Sequence, residues 1–180
     1  MPCVAEPPKP PTDSLGRPLA NPRPMLRVLV DHDVDFLVVG GLAVIVHGYV
    51  RVTVDVDILP SPDQANMRRL AAALKELDAT TVGPRGESLE LELSHPESLA
   101  VGNYFLSTRL GGLDLVNGPR PDIKRYRALS SEAIETQVAG VTVRVIAKSD
   151  LIDMKREVGR DKDLRDIAAL TEVERHGGDR

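Results

Sequence analysis

The sequence predicts an α/β (α+β) domain, a mixed sheet flanked by helices with a short helical part at its C-terminal end. Three observations predict it. Strand-like and helix-like patterns alternate along the chain without an internal repeat. The length of 180 residues suits one domain with a sizeable core. With 42% hydrophobic but only 3% aromatic residues, that core is aliphatic.

The elements follow in order. Residues 1–24 hold eight of the 14 prolines, which stop helix propagation and remove amide donors, so they read as an extended, flexible arm. The single domain then spans 25–175. Met25, Leu26, Leu29 and Val30 recur at helical spacing and predict a short first helix. Phe36 to Val39 is an apolar run that leaves through Gly40 and Gly41, as a buried strand does at a tight turn, and a short helix over Leu42 to His47 follows. Val52 to Leu59 reads as a strand ended by Pro60. Pro62 and Asp63 open an amphipathic helix with Leu70, Ala73, Leu74 and Leu77 inward. Leu89, Leu91 and Leu93 alternate with polar residues as in a half-exposed strand, and Tyr104 to Leu106 and Leu113 to Val116 supply two more. Thr136 to Val145 reads as a hairpin around Ala139 and Gly140. Ser149 caps the first of two helices over 149–173, with Gly159 between them, and 176–180 is a polar tail that frays.

Composition excludes several function classes. Cys3 is the sole cysteine, so neither a disulfide framework nor a cysteine zinc site is available. The N-terminus lacks the basic and apolar regions of a signal peptide, and no apolar run is long enough to span a membrane. A cytoplasmic location follows as the expectation. A net charge of −4 argues against coating nucleic acid over the whole surface, leaving room for a local basic patch.

The chemistry concentrates in a few residues. Asp55 and Asp57 stand two apart in a strand, so their carboxylates share one face while Val54, Val56 and Ile58 take the other. Two like charges so close repel, and a divalent cation removes the penalty by using their oxygens as hard ligands. The same alternation sets Arg51 and Thr53 on that face. Arg51 would bind phosphate or pair with the carboxylates. Upstream, Gly40 and Gly41 make the kind of turn that lets backbone amides approach a phosphate. His47, a lone histidine at a helix end, is given no catalytic role.

Gly40, Gly41, Leu42, Ala43, then His47 and Gly48, then Arg51, Thr53, Asp55 and Asp57 together resemble the core signature of the nucleotidyltransferase superfamily. The chain resembles most the branch containing the AbiEii and MenT toxins. Lys155, Arg156, Gly159, Arg160, Lys162, Asp163, Leu164 and Asp166 are similar to that branch's C-terminal segment. Many superfamily members have Gly-Ser where this chain has Gly40 and Gly41, so a hydroxyl contact to phosphate is missing here.

The resemblance implies a nucleotidyltransferase-like fold and transfer of a nucleotide from an NTP with release of pyrophosphate. It implies Mg2+ (or Mn2+) held by Asp55, Asp57 and a third carboxylate from a later strand, for which Asp114 is the candidate. It makes Lys155 a phosphate ligand, with Lys148 as the alternative, and puts Arg160 and Lys162 within reach of the same cleft. Asp163 takes the branch's acidic position, orienting the lysine or helping to activate the acceptor hydroxyl. It further implies a toxin of a toxin–antitoxin pair that modifies the 3′ end of tRNA, a cognate antitoxin as partner, and Thr53 as a site of silencing phosphorylation. The basic cluster Arg120, Lys124, Arg125 and Arg127 would hold a tRNA backbone, although a solvated loop explains it equally well. Two alternatives stand beside this reading: transfer to a small molecule such as an aminoglycoside, and an idle binding protein of the same fold.

Overall fold

The computed structural model describes residues 11–83 and 87–177, with side chains described as far as Glu172. The expectations for Cys3, for residues 1–10 of the arm and for residues 178–180 of the tail lie outside them.

Helix α1 (Pro22–Asp31) begins three residues before Met25, because a proline is tolerated in the first turn, where its missing amide has no partner to lose. It buries Met25, Leu26, Val28 and Leu29. Strand β1 (Phe36–Val38) leads into α2 (Gly40–Val46), and β2 (Asp55–Pro60) into α3 (Gln64–Glu76), whose N-cap Asp63 accepts from the amides of Ala65 and Asn66. Strands β3 (Thr80–Val82) and β4 (Ser88–Glu90) pair as a ribbon. Instead of running to Leu93 half-exposed, β4 is a short, exposed edge strand, and Leu91 is buried beyond it. After a 3-10 turn at Pro96–Ala100 come β5 (Tyr104–Thr108) and β6 (Gly111–Leu115).

Helix α4 (Ile123–Glu132) has no counterpart in the sequence reading: of its residues only Tyr126 is buried, so the apolar stripe that announces a helix is missing. It is fastened by polar contacts instead. The Tyr126 hydroxyl donates to Asp35 Oδ1 at 2.6 Å, and the Arg144 guanidinium bonds both Asp35 and Ser130. Strands β7 (Ile134–Val138) and β8 (Val141–Val145) form the expected hairpin, with positive φ at Ala139 and Gly140 as a two-residue turn of this hand requires. Helix α5 (Lys148–Val158) is not capped by Ser149: the N-cap is Ala147, without a side-chain bond, and Ser149 lies inside the first turn. Gly159 ends it at φ 68 and α6 (Asp161–Gly177) follows, longer than the sequence pattern indicates.

The strands form one mixed sheet in the order β4-β3-β5-β6-β2-β1-β8-β7. At its centre β2 runs parallel to β6 and antiparallel to β1. Val56 and Ile58 are fully buried with Leu26 and Leu29 of α1 and Leu70 and Leu74 of α3. Each such side chain contributes roughly 1.5–3 kcal/mol on burial, so the packing of one sheet face holds in place whatever projects from the other.

Residues 11–24 differ from the extended arm expected of them. Ala20 N–H donates to Val54 O at 2.9 Å, Asn21 N–H to Leu110 O at 2.8 Å, and Gly112 N–H to Pro18 O at 3.1 Å. The prolines cost this segment little, because Pro18 serves as an acceptor and its neighbours are the donors.

Candidate active site

Alternation along β2 puts Asp55 and Asp57 on the sheet face opposite Val56 and Ile58. The parallel pairing registers Asp57 against Asp114 of β6, so a third carboxylate joins that face from the neighbouring strand. Oxygens of Asp55, Asp57 and Asp114 lie within 4.8 Å of one another. The room that Gly40 and Gly41 leave is taken by protein. Gly41 N–H donates to Asp57 Oδ2 at 3.2 Å, and a Cβ on Gly40, whose φ is +57°, would lie 1.9 Å from that oxygen. A Cβ on Gly41 would lie 2.2 Å from Thr53 Oγ1. A side chain at Gly40 would therefore push Asp57 away, and one at Gly41 would displace Thr53.

Arg51 and Thr53 lie before the strand, which starts at Asp55, so the alternation invoked for them does not reach that far. Thr53 still borders the site, its hydroxyl 3.3 Å from Asp55 Oδ1. Arg51 turns to Asp166 rather than to the paired carboxylates, with Nη2 donating at 3.1 Å and Nε 2.9 Å from the other oxygen.

Burial raises the Asp57 carboxyl above its ordinary value, and repulsion from Asp55 adds to the effect. Burial likewise pushes Asp114 up to about 7, against the bond and charge of Arg17. Three hard oxygen donors, crowded and short of positive charge, fit a divalent cation such as Mg2+. A stability prediction follows. The folded, metal-free chain keeps a proton on Asp114 that the unfolded chain releases near 3.8, so stability falls as pH rises from about 4 to 7 and then levels off. The change is on the order of 3 kcal/mol, and Asp57 shifts in the same direction. Thermal melts of chelator-treated protein should show a lower Tm at pH 7.5 than at pH 5. A flat or rising Tm over that interval would contradict the assignment.

The C-terminal helices supply the facing charges. Lys155 is buried on α5, its Nζ 3.2 Å from Asp163 Oδ1 and 2.6 Å from Asp166 Oδ2. Arg160 Nε donates to Asp163 Oδ2 at 2.7 Å. Burial would raise Asp163, but its bonds to Arg160 and Lys155 outweigh that and hold it below the usual carboxylate range. The bond to Asp163 chiefly raises Arg160, and Asp57 and Asp55 add to it from across the cleft. Lys162 and Lys155 in turn favour the charged form of Asp57. Lys155, Lys162 and Arg160 thus lie close enough to the carboxylates to interact with them, and the lysine pairs with both Asp163 and Asp166. Lys148 stands at the opposite end of α5, at its first residue. His47 is structural: its Nε2 pairs with Ile146 O at 2.8 Å, tying the C-cap of α2 to the residue that follows β8.

Sequence reasoning missed two features, Arg17 and Phe105, and named a third, Asp166, without a role. Arg17, from the supposed arm, bonds Asp114 and lies 3.5 Å from Asp55; a lone arginine among prolines carries no signal. Asp166 closes the charge chain from Arg51 to Lys155, and its three-residue spacing from Asp163 on a helix was the available clue. Phe105 of β5 registers directly against Asp114 and remains 48% exposed, a large apolar ring beside the carboxylates. A cavity of about 580 Å³ also opens on this side, lined by Leu59, Val116, Met154 and Val158. Leu59 and Val116 stand two residues beyond Asp57 and Asp114, so the cavity begins roughly 7 Å further along the same face.

Comparison with known proteins establishes the fold. The lincomycin-bound lincosamide antibiotic adenylyltransferase LnuA superposes with a TM-score of 0.58 at 15% identity, over 86% of this chain and 99% of that one. The antibiotic-resistance factor ANT(2″)-Ia gives 0.53 at 16% identity, covering 84% of each chain. An antigenic nucleotidyltransferase-like protein from Paracoccidioides brasiliensis gives 0.51 at 18% identity, over 83% of this chain and 73% of that one. No family model matches the sequence, and no curated protein does. The fold is nucleotidyltransferase-like, a mixed sheet flanked by helices. Among the described residues, no helix is long and apolar enough to cross a membrane.

Proposed function

We propose that this chain is a divalent-metal-dependent nucleotidyltransferase that transfers a nucleotide from an NTP to an acceptor hydroxyl and releases pyrophosphate. The observation that carries the reading is the meeting of Asp55, Asp57 and Asp114 on one sheet face, opposite Lys155, Arg160 and Lys162. A triphosphate needs cations beyond its metal, and a wall of lysine and arginine beside a carboxylate cluster meets both demands. Asp55 and Asp57, with Asp114 beside them as the third carboxylate, would hold Mg2+ or Mn2+, which when bound neutralises charge on the α-phosphate and lowers the pKa of the attacking hydroxyl. Lys155, Arg160 and Lys162 draw the polyphosphate to one side of the cleft, with Arg51 behind them on Asp166. Asp163 fixes the direction of the Lys155 ammonium. Gly40 and Gly41, at the start of α2, make room for Asp57, whose carboxylate accepts from the Gly41 amide.

For the acceptor, the cavity beside the carboxylates favours a small hydroxylated molecule. About 580 Å³ is the size of a drug-sized ligand site. Its lining balances Arg120 and Arg125 against Asp122 and Glu157, so it suits a compound of low net charge better than a polycation such as an aminoglycoside. The two antibiotic-related neighbours, one of them holding lincomycin, accord with a small acceptor.

A second reading is the 3′ end of tRNA, favoured by the exposed Arg120, Lys124, Arg125 and Arg127 on and just before α4. It brings with it the toxin role, an antitoxin partner and Thr53 as a modification site. A phosphate on that hydroxyl would add roughly −1.5 to −2 charge beside Asp55.

The purified chain, with Mg2+ and each α-labelled NTP in turn, should label an acceptor from a panel of hydroxylated small molecules and leave total tRNA unlabelled. Labelled tRNA with an unlabelled panel would replace the first acceptor by the second. No transfer to either, with no pyrophosphate released, would remove the reading itself.

A further inference from the structure

The guanidinium of Arg17 occupies a position among the acidic residues that no sequence motif assigns. Its side chain is 2% exposed, and every nitrogen is engaged. Nε lies 2.7 Å from Asp13 Oδ2, Nη1 bonds Asp114 and donates to Leu106 O at 3.2 Å, and Nη2 points to Asp55 Oδ2 at 3.5 Å. The contact is built from behind as well. Asp13 also accepts from the Arg17 amide at 2.9 Å, and Asp13 N–H donates to Arg17 O at the same distance.

The next strand is shaped to receive this segment. A Cβ on Gly111 would lie 2.4 Å from Ala20 Cα, and one on Gly112 would lie 3.0 Å from Arg17 Cζ. The glycine pair that precedes Asp114 thus gives the arginine its way in. A guanidinium held on all sides in this manner is a fixed member of the site.

Its charge bears on what else the site can hold. Arg17 spends its one positive charge on Asp13 and Asp114, which leaves Asp55 and Asp57 as the two carboxylates it compensates least, a pair suited to one divalent ion. The oxygens are divided in the same sense. Asp114 is bound by Arg17, Asp55 shares one oxygen with Arg17 and the other with the Thr53 hydroxyl, and Asp57 has, among the described residues, only the Gly41 amide.

We propose that Arg17 is a resident cation of the site: it holds Asp114 and so limits the protein, in the absence of nucleotide, to one divalent ion carried by Asp55 and Asp57. Arg17 is then a positioning residue that takes the place a second metal ion would fill. This rests on the nucleotidyltransferase reading, and the test separates the two.

Mn2+ alone is titrated into metal-free, full-length protein without nucleotide, and bound ions are counted by electron paramagnetic resonance and calorimetry. The unsubstituted chain should bind one ion. Arg17→Ala should bind two, the first at least about tenfold more tightly, since a neighbouring positive charge has gone. Arg17→Gln removes the charge but keeps an amide within reach of Asp13, so it decides the matter if the alanine variant does not fold, and it too should bind two. Arg17→Lys restores the charge and should bind one. Two ions on the unsubstituted chain, or one ion of unchanged affinity on folded Arg17→Gln, would overturn the proposal alone. No ion at all would overturn it together with the metal-dependent reading. One ion without nucleotide transfer to any acceptor would leave Arg17's role standing and remove only the catalytic reading.

Discussion

Asp57→Ala should lose at least about 100-fold in nucleotide transfer, roughly 3 kcal/mol of transition-state stabilisation, while its cooperative unfolding persists. Asp57 is the carboxylate with the least competition for its oxygens, bonded among the described residues only by the Gly41 amide, so its removal takes away the best ligand of the set. The same substitution should not weaken the metal-free fold. Burial and the nearby Asp55 both disfavour the charged Asp57, and deleting a group that the folded state holds at a cost relieves the fold. The expected pair of results is thus a large loss of rate with an unchanged or higher Tm in chelator. Asp55→Ala should show a similar loss of rate. Transfer near the parent rate in either purified variant would remove these residues from the site, and a large fall in Tm for Asp57→Ala would mean that the carboxylate serves the fold instead.

The parts of this arrangement that could be read from the sequence are those governed by short-range rules. Alternation along Val52 to Leu59 suffices to put Asp55 and Asp57 on one face, and Gly40 and Gly41 mark the adjoining turn without any knowledge of the rest of the fold. Asp114 required more, since its place depends on β6 lying parallel to β2 in a particular register, a non-local fact that alternation cannot supply. The resemblance pointed to it. Two errors have a common origin. The arm was judged by proline content, which predicts the absence of helix and ladder but not the absence of contacts, so Arg17 escaped notice. Helix α4 falls where only a basic cluster or a solvated loop is read, because it is held by the Tyr126 and Arg144 bonds to Asp35 rather than by an apolar stripe. In both cases polar contacts distant in sequence do what local pattern normally does. The reason for the glycine pair was also hidden, since the side chains it admits, Asp57 and Thr53, lie on another element.

Lys155→Ala should lower stability by about 3 kcal/mol, because removing one member of a buried ionic network leaves its partners short of compensation. The partners are Asp163 and Asp166, at 1% and 2% exposure, so water cannot replace the lost ammonium without opening the contact between α5 and α6. For a domain of this length that corresponds to a fall in Tm of roughly 6–12 °C. Arg160 and Arg51 remain to hold one acid each, which is why partial loss is expected and not unfolding. The pH dependence should change as well. Asp163 is held below its ordinary value of 3.8, so in the parent chain it adds stability that is present above that pH and is lost as pH falls through the lower folded value. Without Lys155 this acid-side contribution should shrink, and the two chains should converge in Tm as the pH is lowered. Rate and stability can then be separated by assaying transfer well below the variant's Tm. If Lys155 meets the polyphosphate, transfer stays depressed there by at least about tenfold while the fold is intact. A variant that recovers the parent rate once it is folded would assign Lys155 to structure alone, and the cationic wall would then consist of Arg160 and Lys162.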